Sequence, residues 1–409
     1  VAPWAESEIV VIGSGAVGLG VAFSLARAGK TDVLVLERES DVGLVTTSQG
    51  AGLCGQVRSG PDRVRLAMHS VDTFRELQKD SEARPDWREV GSLRLAFSAE
   101  RVEELRRLVA VCEGAGLDVG LIGAAEAQRL WPPIDAGAVL TALWCPSDGS
   151  MTPAAVAQAY AHRCRGMGVR IEPGTAVTGV GCRNGRVVAV QTDRGEVTCE
   201  LAIDAAGAHA SHIARLVGLE LPIVPVRHEY YDTVPLPGLE PDLPCIRIPE
   251  MTLYGRAVGR SLRLGGWEPA ALSLDPRSFA LEEHAPAVEP DRRVLDGFEE
   301  QFARVCPAAR GAEWTRVGSG WPTFTPDGRF VIGESRRVKG FALAGGCNAH
   351  GISGSAGIGR LLVESLFDPH PSDYVRSLSP DRFAETAWDW ETARHRAQRV
   401  YETYYALSA

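Results

Sequence analysis

Residues 8–37 read EIVVIGSGAVGLGVAFSLARAGKTDVLVLE, and this stretch decides the fold. IVVI is a continuous apolar run, the pattern of a parallel strand buried on both faces. It leads into GSGAVG, a G-x-G-x-x-G spacing at Gly13, Gly15 and Gly18. Gly13 permits a tight turn, Gly15 and Ala16 bring backbone N–H groups up to a pyrophosphate, and Gly18 lets the next helix pack on the strand. That helix aims its positive N-terminal end at the same point. A second apolar strand ends at Glu37, nineteen residues past Gly18, where a carboxylate accepts hydrogen bonds from ribose hydroxyls. The glycine spacing alone is a weak signal that a chance turn would explain. With strand, helix and acidic strand end around it, a dinucleotide site is expected.

At 409 residues the chain should hold two domains or one with large insertions. Hydrophobic residues make up 45% and charged residues 23%, as in an ordinary globular protein. The net charge of -9 and the lack of a basic run exclude a nucleic-acid partner. Nine scattered cysteines, with no CxxC pair or Cys/His cluster, predict neither a metal site nor a disulfide framework. No apolar run approaches a membrane span, and no leader pattern opens the sequence, so the cytoplasm is the expected compartment. Arginine supplies nearly all the positive charge; lysine occurs only at 30, 79 and 339.

Three later stretches turn the dinucleotide towards FAD. LAIDAAGAHAS (201–211) is a buried strand ending in small residues at Ala206 and Gly207. TFTPDGRFVIGE (323–334) is a turn feeding a strand. GGCNAHGISGSAGIG (345–359) lies between an apolar strand and a helix. With VLER, GAGLCGQVRS, DGSMTP, PVRHEYYDT and the tail RVYETYYAL, their order resembles the D-amino-acid oxidase and sarcosine oxidase superfamily. The likeness is greatest to the flavin half of dimethylglycine and sarcosine dehydrogenases. It implies an α/β fold: a Rossmann-like FAD-binding domain with a second, α+β substrate domain on a mixed or antiparallel sheet, of the glutathione-reductase-2 type. Segments 1–85, 145–220 and 315–409 would bind FAD, and 86–144 and 221–314 would form the substrate domain. Those relatives also carry a folate-binding half that this sequence does not reach, so folate capture of formaldehyde is not expected on it.

The resemblance implies oxidation of a C–N bond in a secondary or tertiary amine or an amino acid. Hydride passes to flavin N5 and the imine hydrolyses. It places Arg38, Thr47, Ser48, Gln49, Gly52, Leu53, Val177, Gly346, Asn348, His350, Gly351, Ile352 and Ser353 at the cofactor, beside the glycines, Glu37, Ala206 and Gly207 already named. A helix opening at about 354–359 would stabilise the negative charge of reduced flavin by roughly 0.3–2 kcal/mol. The covalent tethers of relatives are missing, with Gln49 at the histidine position and Gly320 near the cysteine position, so FAD should be non-covalent.

His228 falls on the histidine of the H-x-Y motif, with Tyr230 kept beside it; imidazole suits proton relay near neutral pH. A core strand histidine is the plain alternative. Tyr254 is the expected catalytic tyrosine, although Gly255 replaces a second aromatic. Arg256 is either a polar group at the substrate or a solvated strand residue. Arg58 is either a carboxylate clamp, since guanidinium binds two oxygens at once, or a surface residue; the carboxylate ligands of relatives map to Pro322 and Ser353. His350 tunes the ring, lines the substrate pocket, or sits behind it. The strand RSLRLGGWE lacks the oxygen-activating lysine of sarcosine oxidases, so the acceptor is O2 served by another group, or an unknown electron carrier. Two alternatives stay open: a flavin-holding subunit without catalysis, and oxidative tailoring of an amine in specialised metabolism.

Overall fold

The computed structural model describes residues 4–384 and 387–407. Its centre is a six-stranded sheet ordered Val331–Glu334, Phe341–Gly345, Leu201–Asp204, Ile9–Ile12, Val33–Leu36, Arg170–Glu172. All neighbours run parallel except the first pair. The runs IVVI, VLVL and FALAG are buried at every position, because helices and a second sheet cover both faces.

Helices Ala16–Arg27 and Ser355–Phe367 follow the strands Ile9–Ile12 and Phe341–Gly345 and cross closely. The crossing needs a bare backbone: a Cβ on Gly20 would lie 2.6 Å from the Ser355 carbonyl oxygen. Both helices therefore open at the carboxyl edge of the sheet, where open α/β sheets form their binding crevice. A four-stranded sheet (Ala5–Glu6, Gly195–Thr198, Arg186–Thr192, Val177–Arg183) flanks this layer.

The third sheet has eight strands, ordered Trp314–Gly320, His228–Pro235, Ser261–Gly266, Leu253–Val258, Cys245–Ile248, Ser92–Ala96, Thr141–Cys145, Gly120–Ile122. One face is apolar: Tyr231, Ile246 and Leu264 pack with Leu295, Phe298 and Phe302 of helix Arg292–Phe302. The period of two sends alternate residues to the other face. There Arg94, Arg247, Tyr254, Gly265, Tyr230 and Gly318 stand in one register row across six strands. The glycines are what the tyrosine rings require. Tyr254 lies over Gly265 and Tyr230 over Gly318, at distances that leave no space for a Cβ.

Gly255 belongs to the opposite face, its Cβ position 3.3 Å from Ile246. An aromatic there would point at the helix layer and not at Tyr254's surroundings. The stretch ERVEELRRLVAVCEGAGL forms a helix, Ala99–Gly114, and SLRLGGW forms the strand Ser261–Gly266. Among the described residues no helix is long and apolar enough to cross a membrane, and no cluster could hold a metal ion.

Candidate active site

A cavity of about 570 Å³ runs from the glycine turn to the face of the eight-stranded sheet. At one end Gly13, Gly15 and Ala16 line it. Gly13 has φ +103°, and a Cβ there would meet the Ala205 carbonyl oxygen at 2.7 Å, so only glycine fits. The helix it feeds has no capping side chain on its Gly15 N-cap. Ala16 N–H donates to Thr47 Oγ1 (3.0 Å), while the other first-turn N–H groups lack intrahelical acceptors. Glu37 closes the same end. Its Oε2 accepts from the Ser14 amide (2.8 Å) and hydroxyl (2.7 Å), and its Oε1 from Glu39 N–H (2.9 Å). A carboxylate has about four acceptor positions, so one stays available to a ribose hydroxyl. An uncapped helix start and an acidic strand end form the donor–acceptor set a dinucleotide needs, and the residues fit FAD.

The walls come from Arg38, Thr47, Gln49, Gly52, Leu53, Val177, Ala206 and Gly207, then Gly351, Ile352 and Ser353 ahead of the second helix, whose Gly354 N-cap has no side chain and whose Gly357 N–H donates to Ser70 Oγ (2.9 Å). Gln49 and Gly320 face each other: a Cβ on Gly320 would be 2.6 Å from Gln49 Oε1. Neither an amide nor a glycine is a nucleophile for flavin.

Six expected residues do not line the cavity. Gly18 packs beneath the turn against Gly13. Ser48 Oγ donates to the carbonyls of Leu44 and Val45 (2.7 and 2.9 Å). Gly346 and Asn348 shape the loop from below. Asn348 and Ala349 both adopt left-handed φ (47° and 60°), a strain held because Asn348 Oδ1 accepts from Thr325 N–H (3.0 Å) and Asn348 Nδ2 donates to Gly346 O (2.8 Å). The last two, expected at the substrate, are occupied elsewhere. Tyr230 donates to Gly50 O (3.4 Å), and Arg256 Nε to Ala51 O (2.8 Å). Arg263 also reaches Ala51 O while pairing both oxygens of Asp232 at 2.7 Å. These two arginines hold the 49–52 loop against the sheet.

The far end gathers His228, Tyr254, Arg58 and His350 with four residues that sequence reasoning missed: Arg247, Trp267, Tyr401 and Tyr404. All but Tyr401 line the cavity. His228 Nε2 lies 2.7 Å from the Tyr254 hydroxyl, and Nδ1 lies 3.1 Å from the Tyr401 hydroxyl, which is 3.4 Å from Gly266 O. Burial lowers His228 to about 4 and raises Tyr254, so both are neutral near pH 7. His350 Nε2 is 2.9 Å from the Tyr404 hydroxyl. Burial, then Arg58, Arg63 and Arg247, hold His350 well below the usual histidine value. Burial pushes Cys347 up to about 12, so its thiol stays protonated. Trp267 stacks on Tyr404 with centroids 3.8 Å apart. The only advance signal for the C-terminal aromatics was the tail RVYETYYAL itself.

A strap over residues 281–288 closes one side and was also not foreseen. Its carbonyls at Leu281 and Glu283 accept from Arg38 (3.3 and 2.9 Å), and Trp321 Nε1 donates to Pro286 O (2.7 Å).

Comparison with known proteins agrees with this geometry. Mouse sarcosine dehydrogenase is 27% identical over 97% of this chain and 43% of its own length. The 4-methylaminobutanoate oxidase (formaldehyde-forming) of Paenarthrobacter nicotinovorans is 29% identical over 92% of this chain and 45% of its own. The chain thus spans less than half the length of these relatives. The crystal structure of L-proline dehydrogenase from P. horikoshii superposes with a TM-score of 0.83, covering 94% of this chain and 99% of that one at 24% identity. The family model for FAD dependent oxidoreductases (DAO) matches residues 8–365, taking in both helix starts and most of the cavity between them, and the chain belongs to that family.

Proposed function

We propose that the protein oxidises a C–N bond of a secondary or tertiary amine or amino acid. The supporting observation is the Tyr254–His228–Tyr401 chain, neutral and sheltered, opening on the cavity through Tyr254. FAD, when bound, supplies the two-electron acceptor for the hydride leaving the carbon next to nitrogen. Everything else falls to the polypeptide. A sheltered site favours the uncharged amine, because burial disfavours an ammonium ion. Where the amine carries an N–H the Tyr254 oxygen accepts it, and the Tyr254 O–H donates to His228 Nε2. His228 Nδ1–H donates to the Tyr401 oxygen, whose hydroxyl donates to Gly266 O, so this hydrogen-bond relay fixes the direction in which Tyr254 donates and leaves its oxygen free for the substrate. Arg58 holds a substrate carboxylate. Trp267, Tyr404 and the 281–288 strap exclude water, and the resulting iminium hydrolyses after release.

Segments 1–85, 145–220 and 315–409 carry the cofactor in this reading, and 86–144 and 221–314 cover it. FAD is held without a covalent bond, since Gln49 and Gly320 stand where relatives carry tethers. Electrons pass on to O2 or to a separate carrier. All nine cysteines are free, which suits a reducing compartment such as the cytoplasm. The test is anaerobic titration of the FAD-loaded protein with sarcosine, dimethylglycine, N-methylated dicarboxylic amino acids and D-amino acids. Bleaching of the flavin band by any of them is expected; an unbleached band with every one refutes the assignment.

A further inference from the structure

We propose that the far end of the cavity is a two-arginine anion site, built on Arg247 together with Arg58, and that the amine oxidised here carries two carboxylates. This rests on the amine-oxidation reading and adds the charge of its substrate. Arg247 is the residue that makes the difference. On the cavity face of the eight-stranded sheet it stands in register between Tyr254 on one side and Arg94 on the other. It lines the cavity with Arg58, and behind the pair a smaller hollow is lined by both, with Arg94 and Asp148.

The charges do not balance within the protein. Arg247 Nη1 donates to the Tyr405 hydroxyl (3.1 Å), Arg58 Nη1 to the Val57 carbonyl (2.8 Å), and Arg94 lies over the Tyr405 ring at 5.9 Å. Among the described residues none of the three has an ion-pair partner. Two other sheltered guanidinium groups do have acid partners, Arg263 with Asp232 and Arg227 with Glu268, while Arg256 rests on the Ala51 and Ala257 carbonyls. The one acid nearby, Asp148, is already engaged. It accepts from Gln56 N–H (2.8 Å), Gln56 Nε2 (3.1 Å) and Ser92 Oγ (2.6 Å).

Three cations against one anion leave an excess of two positive charges in a sheltered site. Such an excess is costly unless a ligand supplies the counter-charge. Arg58 and Arg247 come from different elements, a loop and a strand, so each can grip its own carboxylate with two parallel N–H donors. Tyr405 keeps Arg247 in place, and its own carbonyl is held by Arg101 Nη2 at 2.8 Å. A substrate with a single carboxylate satisfies one arginine and leaves the other sheltered without a counter-charge.

The test uses the FAD-loaded protein under anaerobic conditions, with N-methyl-L-glutamate, N-methyl-L-aspartate and iminodiacetate set against sarcosine and dimethylglycine. At least one dicarboxylate should bind about tenfold or more tightly than either monocarboxylate, by the apparent Kd for flavin reduction. In Arg247→Met that ratio should fall to near one, and Arg247→Lys should keep part of it. Glutarate, which has no amine, should perturb the flavin spectrum of the wild type and not of Arg247→Met. Equal affinity for one and two carboxylates, or a preference that survives Arg247→Met, overturns the proposal while amine oxidation stands. Glutarate binding that depends on Arg247, with no amine bleaching the flavin, keeps the anion site and sinks the oxidation reading instead.

Discussion

His228 gives the sharpest quantitative expectation. Its ordinary value of 6.5 is lowered to about 4 by burial, so the unfolded chain binds a proton in a range where the folded protein refuses one. The unfolded state then carries more protons between these values, and stability rises with pH. The contribution is fully present above pH 6.5 and is lost as pH falls towards 4. At 1.36 kcal/mol per unit it amounts to about 2 kcal/mol at pH 5 and about 3 kcal/mol at pH 4. His209 and His350 are lowered by burial too, so wild type alone would blur the measurement. Comparison with His228→Gln, which keeps hydrogen-bonding atoms and cannot titrate, isolates the residue. Urea unfolding of both FAD-loaded proteins from pH 7.5 to 4 should show the wild-type advantage shrinking by about that amount. A difference that stays level within about 0.5 kcal/mol over the range would mean that His228 is solvated in the working protein, and the relay through it would lose its basis.

Tyr401→Phe removes the Nδ1 partner of His228 and should slow flavin reduction about tenfold with FAD still bound; an unchanged rate across pH 6–9 would take Tyr401 out of the relay. Asp232→Asn leaves Arg263 without a counter-charge on the cavity side of the sheet, and urea unfolding should register a loss of about 3–5 kcal/mol. A loss below about 1 kcal/mol would show that the pair does little. Gly13→Ala sets a Cβ 2.7 Å from a fixed carbonyl at positive φ, and fluorescence titration should find FAD binding weakened at least about tenfold; wild-type affinity would contradict the assigned role of the turn. Acid precipitation of the holoprotein should leave all the flavin in the supernatant, and yellow colour in the pellet would reveal a tether that Gln49 and Gly320 do not provide.

The nucleotide end was legible because its information is local. A strand, three glycines, a helix and an acid follow one another within thirty residues, and each is dictated by short-range geometry. The closing helix after Gly354 was legible for the same reason. Tyr254 and Arg256, two residues apart on one strand, share a face by the period of two, but period tells which face and not how deep. Arg256 shares Tyr254's side of the sheet, yet its guanidinium is taken by the Ala51 carbonyl, so it positions a loop and does not reach the cavity.

What only the tertiary structure decided is the company His228 and Tyr254 keep. Tyr401 meets His228 across 173 residues of chain, and Tyr405 meets Arg247 across 158. No pattern in either segment specifies such a meeting. The same holds for the unbalanced charge around Arg58 and Arg247: single arginines on a loop and on a strand carry no mark of being left without a partner. Burial and pairing are properties of the packed whole, so the sequence determined the fold and the coenzyme, and packing alone determined the charge and shape of what lies beside it.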